Sequence, residues 1–191
     1  MDKKIYIATV AEKGGGKGLF FELVKKLLPN KRVVMIRSSD FWRQILHILC
    51  KEESRGSIDT LATAIRNAFG DDGVLIAPLI KQLETIDADV IILDGLRKHE
   101  EVEMIKSRGG VVVFISAQAE VRFQRRKEHV ENSDERDMTL EQFIYQDQLA
   151  SNRTVRSINE TMADVRIENN GSKEEFEEKI VKFLHDHTIT S

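Results

Sequence analysis

The chain has 191 residues, with 29 lysines and arginines against 32 aspartates and glutamates and a formal net charge of -3. Hydrophobic residues make up 41% of the chain, enough to bury the core of one domain, and the mild acidity argues against a nucleic-acid-binding protein, which usually carries a basic excess. The single cysteine excludes an internal disulfide framework and a cysteine-rich zinc site. No apolar run approaches the roughly 18 residues of a membrane span, so we expect a cytoplasmic protein without a nucleic-acid polymer or a membrane as its partner.

The first thirty residues predict a strand, a glycine-rich loop and a helix. Residues 5–10 form a short apolar run with β-branched side chains, which is typical of a buried strand. Residues 19–28 have helical periodicity, and the Pro29-Asn30 pair that follows is a helix stop signal. The glycine-rich loop therefore lies between a strand and a helix.

Strand and helix patterns alternate over the rest of the chain. Four further strands are predicted, at residues 32–36, 90–93, 111–115 and 165–167. Helices are predicted at residues 41–46, 58–69, 74–86, 98–108, 119–129, 139–161 and 173–185, the last with a capping box formed by Ser172 and Glu175. This alternation implies a mostly parallel sheet covered by helices on both faces. A crossover between parallel strands needs only one helix, so the three helices between the second and third strands predict an inserted helical subdomain.

The loop at residues 11–18 partly matches the phosphate-binding pattern G-x-x-x-x-G-K-[ST]. Gly16 and Lys17 match, whereas Ala11 replaces the first glycine and Gly18 replaces the hydroxyl residue. Consecutive glycines let successive N–H groups turn toward phosphate oxygens, the start of a helix adds positive charge, and the lysine supplies a mobile cation. A plain turn is the alternative, but three adjacent glycines cost folding entropy that a plain turn does not require. The sequence therefore predicts a phosphate-binding loop.

The loop and the motifs after the second and third strands resemble those of the nucleoside monophosphate kinases, the adenylate-kinase-like branch of the P-loop kinases. In that branch a glycine commonly follows the lysine, and a threonine that contacts a phosphate usually comes next, where this chain has Leu19. Residues 38–43 resemble the family's stretch after the second strand, which precedes a helix with an arginine. Residues 94–97, Asp-Gly-Leu-Arg, resemble the family signature Asp-Gly-Phe-Pro-Arg, shortened by one residue. The shortened form looks more like a group of microbial kinases described as dephospho-coenzyme-A-kinase-like or nucleotide-kinase-like.

Two later segments extend the resemblance over nearly the whole chain. Residues 120–126 resemble the helix that leads into the family's lid, and Arg125 falls on its nucleotide-contacting arginine. Residues 163–172 resemble the last strand and the loop that touches the adenine, in which Asn170 and Gly171 lie.

The resemblance implies an α/β fold, the three-layer α/β/α P-loop NTPase fold with a five-stranded parallel sheet in the order 2-3-1-4-5. Residues 1–191 would form a single P-loop kinase domain. A helical acceptor-binding insertion would occupy about residues 39–88, and a short lid about residues 127–138.

The resemblance also implies a role for each motif residue, with ATP and Mg²⁺ as cofactors. The ATP phosphates would be bound by Gly14, Gly15, Gly16, Lys17, Gly18 and Leu19. The catalytic residues would be Lys17, Asp94, Arg125 and Asp40, with Asp94 also orienting the metal. The acceptor would be held by Arg43 and Arg97, with Arg37 competing for the role of Arg43, and the lid would contribute Arg136. For several of these arginines a solvated surface position is the alternative, and Arg97 could instead pair with Glu100 or Glu101.

The function implied is that of an ATP-dependent small-molecule phosphotransferase, most simply a nucleoside or deoxynucleoside monophosphate kinase. One alternative is a dephospho-coenzyme-A-kinase-like enzyme that phosphorylates a sugar hydroxyl, with Asp40 as the carboxylate base. Another alternative is a nucleotide-binding regulator or a degenerate kinase without turnover, because Leu19 lacks the hydroxyl of the usual threonine. The sequence leaves the three open.

Overall fold

The computed structural model describes residues 4–70, 73–96, 98–128, 138–147 and 150–189. The strands in this part of the chain are β1 (Ile5–Ala11), β2 (Val33–Arg37), β3 (Val90–Asp94), β4 (Val111–Ser116) and β5 (Val165–Glu168). The helices are α1 (Lys17–Leu27), α2 (Asp40–Ile48), α3 (Arg55–Phe69), α4 (Gly73–Thr85), α5 (His99–Lys106), α6 (Ala119–Glu128), α7 (Leu140–Asp147), α8 (Ala150–Thr161) and α9 (Lys173–Asp186).

The five strands form one parallel sheet in the order β2-β3-β1-β4-β5, which confirms the predicted fold. The strands β1 and β3 lie side by side at the centre, with Thr9 paired to Asp94, and Arg37 of β2 is paired to the other side of Asp94. The chain leaves β1 toward one face of the sheet and β3 toward the other. Ligands of open α/β sheets bind where two neighbouring strands diverge in this way, so the candidate site lies at the carboxyl ends of β1 and β3.

Each face of the sheet carries its own apolar core. On one face, Phe20 and Leu23 of α1 pack with Phe176 and Ile180 of α9. The other face is covered by buried side chains of α4, α5 and α8. Successive residues of the central strand alternate between the two cores, as Ile7 and Ala8 show, so the strands are apolar on both faces because helices cover both.

The three helices between β2 and β3 contribute to two different apolar clusters. Leu79 and Leu83 of α4 are buried in the core of the second face, so α4 is the crossover helix of the sheet layer. Trp42 of α2 and Ile58 of α3 form a separate small cluster. The Lys4 ammonium donates hydrogen bonds to three carbonyl oxygens at the end of α4, where the last backbone acceptors of a helix have no helical partner.

Two predicted segments lie partly outside the described residues. The helix predicted at residues 139–161 corresponds to α7 and α8, and residues 148–149 between them are outside the description. Of the predicted lid, residues 129–137 are also outside it. No helix that the structure does describe is both long and apolar enough to cross a membrane.

The hydrogen bonds at the start of α9 provide a test of the helix cap. The Ser172 hydroxyl accepts a hydrogen bond from the Glu175 backbone N–H at 3.2 Å, and the Glu175 carboxylate accepts one from the Ser172 N–H at 3.0 Å. We expect Ser172→Ala to lower the free energy of unfolding by about 1 kcal/mol, because an N-cap partner is lost. Ser172→Thr keeps the hydroxyl and is the matched control. Urea denaturation measures both, and equal stability of the alanine variant and the wild type would contradict the capping role.

Candidate phosphate-binding site

The glycine loop joins the end of β1 to the start of α1 at the carboxyl edge of the sheet. Gly14 and Gly16 have φ angles of +80° and +105°, in the left-handed region that favours glycine. Gly16 is the N-cap of α1, and its carbonyl accepts the hydrogen bond of the Phe20 N–H at 3.0 Å. The first backbone N–H groups of the helix have no partner within it, so they are available as donors to an anion such as a phosphate.

Close packing accounts for three adjacent glycines in the loop. A Cβ atom on Gly14 would lie 2.9 Å from the Arg122 carbonyl oxygen, and one on Gly16 would lie 2.2 Å from the Asn169 amide nitrogen. A Cβ atom on Gly15 would be 3.0 Å from that of Ala11. Packing and backbone conformation therefore require glycine at Gly14 and Gly16 and leave little space for a side chain at Gly15.

Lys17 and Asp94 meet at the centre of this edge. The Lys17 Nζ atom lies 3.7 Å from the Asp94 Oδ1 atom, and the two side chains are 22% and 15% exposed. The Ser38 N–H donates to the Asp94 carbonyl oxygen at 3.0 Å, and the Ser38 hydroxyl donates to the Gly95 carbonyl oxygen at 2.8 Å. The ends of β2 and β3 are thereby held together beside the glycine loop.

The Asp94 carboxylate fits the role of a divalent-cation ligand. Its Oδ1 atom is buried and has no hydrogen-bond partner within the described residues. The same part of the chain holds no cluster of three histidine, cysteine, aspartate or glutamate residues suited to a metal. Mg²⁺ is commonly bound by one or two carboxylates, with water and substrate phosphates as its other ligands, so one carboxylate with a buried oxygen would be sufficient if the loop binds phosphates.

Arg122 holds the glycine loop from the side of α6. It is 3% exposed, its Nε atom donates to the Ala117 carbonyl oxygen at 3.0 Å, and another guanidinium nitrogen donates to the Lys13 carbonyl oxygen at 3.1 Å. A third guanidinium nitrogen lies 3.4 Å from a carboxylate oxygen of Glu12. Sequence reasoning did not select Arg122, because its neighbours on the helix are also arginines and no local signal marks which of them points inward.

Asn169 holds the loop from the other side and was also missed. Its side-chain amide donates to the Gly15 carbonyl oxygen at 3.0 Å, which keeps that carbonyl turned away from the N–H groups of the cradle. The Arg125 guanidinium donates to the backbone and side-chain oxygens of Asn169 at 2.9 and 3.2 Å. Burial lowers the pKa of Arg125, and Glu128 opposes the shift; the guanidinium stays charged. In this arrangement Arg125 acts on the loop through Asn169, and its catalytic role remains a prediction.

The remaining residues predicted to contact ATP lie close to the loop. Asn170 and Gly171, predicted to touch the adenine, follow Asn169 in the segment between β5 and α9, and the Asn170 side-chain oxygen accepts from the Gln118 N–H at 2.7 Å. The Leu19 side chain packs against the core on the α1 face, so Leu19 could contribute to phosphate binding only through its backbone.

The predicted acceptor residues are less concentrated. Arg37 is exposed at the end of β2, directly beside Asp94. The Arg43 guanidinium donates to the Glu53 carbonyl oxygen at 2.8 Å, which directs it toward the segment between α2 and α3, and Asp40 begins α2. Arg97 and Arg136 lie outside the described residues, and their roles stay predictions.

Several solved structures share this architecture. Shikimate kinase from Bacteroides thetaiotaomicron matches with a TM-score of 0.62 at 14% identity, over 96% of this chain and 98% of that one. A gluconokinase from Sinorhizobium meliloti matches with a TM-score of 0.59 at 12% identity, over 98% and 95%. Dephospho-CoA kinase from Campylobacter jejuni matches with a TM-score of 0.52 at 17% identity, over 98% of both chains. The chain has the P-loop kinase fold.

Sequence relatives are found among archaeal proteins. A UPF0200 protein of Saccharolobus solfataricus is 28% identical over 169 residues, which are 87% of this chain and 85% of that protein. A UPF0200/UPF0201 protein of Archaeoglobus fulgidus is 31% identical over 133 residues, which are 67% of this chain and 40% of that protein. No family model matches the chain.

The packing around the glycine loop provides a second test. We expect Gly16→Ala to lower the free energy of unfolding by about 2 kcal/mol, because it forces a side chain into the left-handed region and against Asn169. Gly18→Ala is the matched control, since no atom lies within 4 Å of the added Cβ. Denaturant unfolding without nucleotide measures both. A Gly16→Ala protein as stable as the control would contradict the described backbone conformation and packing of the loop.

Proposed function

We propose that the chain is an ATP-dependent phosphotransferase acting on a small molecule, most simply a nucleoside or deoxynucleoside monophosphate kinase. The observation that carries the proposal is the meeting of the Lys17 ammonium and the Asp94 carboxylate, 3.7 Å apart, at the mouth of the glycine loop. A lysine and a carboxylate beside the free N–H groups at the start of a helix match the needs of a nucleoside triphosphate and its metal.

Phosphoryl transfer depends on positioning and on neutralising charge more than on covalent chemistry. The N–H groups at the start of α1 would bind the donor phosphates, and Lys17 would follow the charge of the transferring group. Asp94 would hold Mg²⁺, which when bound supplies positive charge to the donor phosphates. The buried Oδ1 atom of Asp94, which has no hydrogen-bond partner in the described part of the chain, supports that role.

The acceptor would bind on the β2 side of Asp94. Arg37 is exposed there, next to Asp94 in the sheet, and an arginine fork pairs with two oxygens of a phosphate. Arg43 and the small α2–α3 cluster lie beyond it along the chain. A phosphate-bearing acceptor is therefore the simplest choice, and Arg37 is the acceptor arginine that the geometry favours.

A kinase with a hydroxyl acceptor is the second candidate. The three similar structures are named for shikimate, gluconate and dephospho-CoA, and none of these is a nucleoside monophosphate. Such an enzyme needs a base for the hydroxyl proton, and Asp40, at the start of α2, is the candidate carboxylate.

A panel of acceptors separates these candidates. The purified chain is incubated with ATP, Mg²⁺ and, in turn, nucleoside monophosphates, deoxynucleoside monophosphates, dephospho-CoA, shikimate and gluconate, and ADP release is measured. We expect turnover with at least one monophosphate. Turnover with only the hydroxyl acceptors would favour the second candidate. ATP binding without turnover on any acceptor would favour a nucleotide-binding regulator.

Lys17 provides the direct test of the catalytic loop. We expect Lys17→Met to lower kcat with the best acceptor by at least about a hundredfold, because a preorganised charge at the transferring phosphate is lost. Lys25→Met is the matched control: this lysine lies on the same helix, is exposed, and stands 6.0 Å from the Phe21 ring centre. Undiminished turnover in the Lys17 variant would contradict the proposed role of the loop.

A further inference from the structure

Helix α8 contacts both segments that leave the central strands of the sheet. The Arg156 Nε atom donates to a carboxylate oxygen of Glu12, immediately after β1, at 3.3 Å. The next residue, Ser157, has its hydroxyl 3.0 Å from the His99 Nε2 atom at the start of α5, after β3. Two consecutive residues of one helix therefore join the glycine loop to the segment that follows Asp94.

The backbone of α8 is fixed at this point by the core. Val155 and Ile158, on either side of the two polar residues, are 2% and 0% exposed in the core of the second face. Close-packed cores resist small displacements. A shift of either segment relative to α8 would therefore change the contacts of Arg156 and Ser157.

Glu12 divides its carboxylate between two arginines. One oxygen faces Arg156, and the other lies 3.4 Å from a guanidinium nitrogen of Arg122. The Arg122 side chain is 4% exposed and the Arg156 side chain 42% exposed. The contact with Arg122 helps to hold the glycine loop in place. The contact with Arg156 lies nearer the solvent, so a ligand in the loop changes it more easily.

The cluster places two guanidinium groups and the Glu12 carboxylate directly after β1. It sits in the loop that would receive the phosphates of a nucleotide, and a positive potential there attracts anions. A phosphate chain bound in the loop would attract the same guanidinium groups, so the contact between Glu12 and Arg156 would respond to the ligand.

We propose that Glu12 and Arg156 are positioning residues that couple the glycine loop to α8. A nucleotide bound in the loop then orders α8 and, through Ser157, the segment after β3. This inference rests on the proposed function, in taking a nucleoside triphosphate as the ligand of the loop. The coupling would align the donor and acceptor sides of the site before the transfer step.

Amide hydrogen exchange tests the coupling without requiring turnover. Exchange is measured over α8 and over the glycine loop, with and without ATP and Mg²⁺, in the wild type and in Arg156→Gln. In the wild type we expect nucleotide to slow exchange of both segments, by at least about fivefold in α8. In the variant we expect protection of the loop alone. Arg156→Gln leaves the pair between Glu12 and Arg122 in place, so the contacts that hold the glycine loop are retained.

Kinetics supply a second readout that a merely structural role would not produce. We expect Arg156→Gln to lower kcat about tenfold or more while the KM for ATP stays within about twofold, because alignment is lost and donor binding is kept. Glu12→Gln removes the contacts of Glu12 with both arginines, so Glu12→Gln combined with Arg156→Gln should be no slower than Glu12→Gln alone, since the contact between Glu12 and Arg156 is already lost in that single variant. Glu177→Gln removes an exposed ion pair with Lys26 and is the control that should change neither readout.

Each result decides between the coupling and the proposed function. Equal protection of α8 in the wild type and in Arg156→Gln overturns the coupling, as does protection of the loop without α8 in the wild type; in both cases the proposed function stands. Binding and coupled protection without turnover on any acceptor overturn the proposed function and leave the coupling. Failure of the wild type to bind ATP overturns both.

Discussion

The contacts that hold the glycine loop in place are those on which the rest of the site depends. Lys13 is held by Arg122, 109 residues further along the chain, and Gly15 by Asn169, 154 residues further along. A Cβ atom added to Gly14 would clash with Arg122, and one added to Gly16 would clash with Asn169. The direction of each backbone N–H follows from the path of the loop, so α6 and the segment after β5 determine where a phosphate could bind.

The charges around the loop are arranged for geometry more than for stability. Glu12 contacts two arginines and Lys17 faces Asp94. Partly buried ion pairs of this kind repay little more than the cost of removing them from water. Their effect is to hold side chains at defined positions near an anion-binding edge, and a total charge of -3 conceals this local concentration of cations.

Much of the architecture could be predicted from the sequence. Apolar strand patterns alternating with helices predicted the parallel sheet, and the resemblance to P-loop kinases supplied the order of its strands, which the structure confirms. Lys17 and Asp94 could be expected to approach one another, because each follows a central strand and parallel strands end at a common edge. The division of the helices after β2 could not be predicted, since an amphipathic pattern shows that a helix has an apolar face and does not show what that face contacts.

The sequence by itself determined the order of the elements and the presence of a glycine loop with its lysine, because these depend on local patterns of side-chain type. Only the tertiary structure decided which polar groups serve the loop. On α6, Arg122 is buried against the loop and Arg125 contacts Asn169, although the two residues are the same in chemistry and three positions apart. Their surroundings come from the glycine loop, α7 and the segment after β5, and contacts between residues so far apart in the chain form only when the sheet brings its strands together.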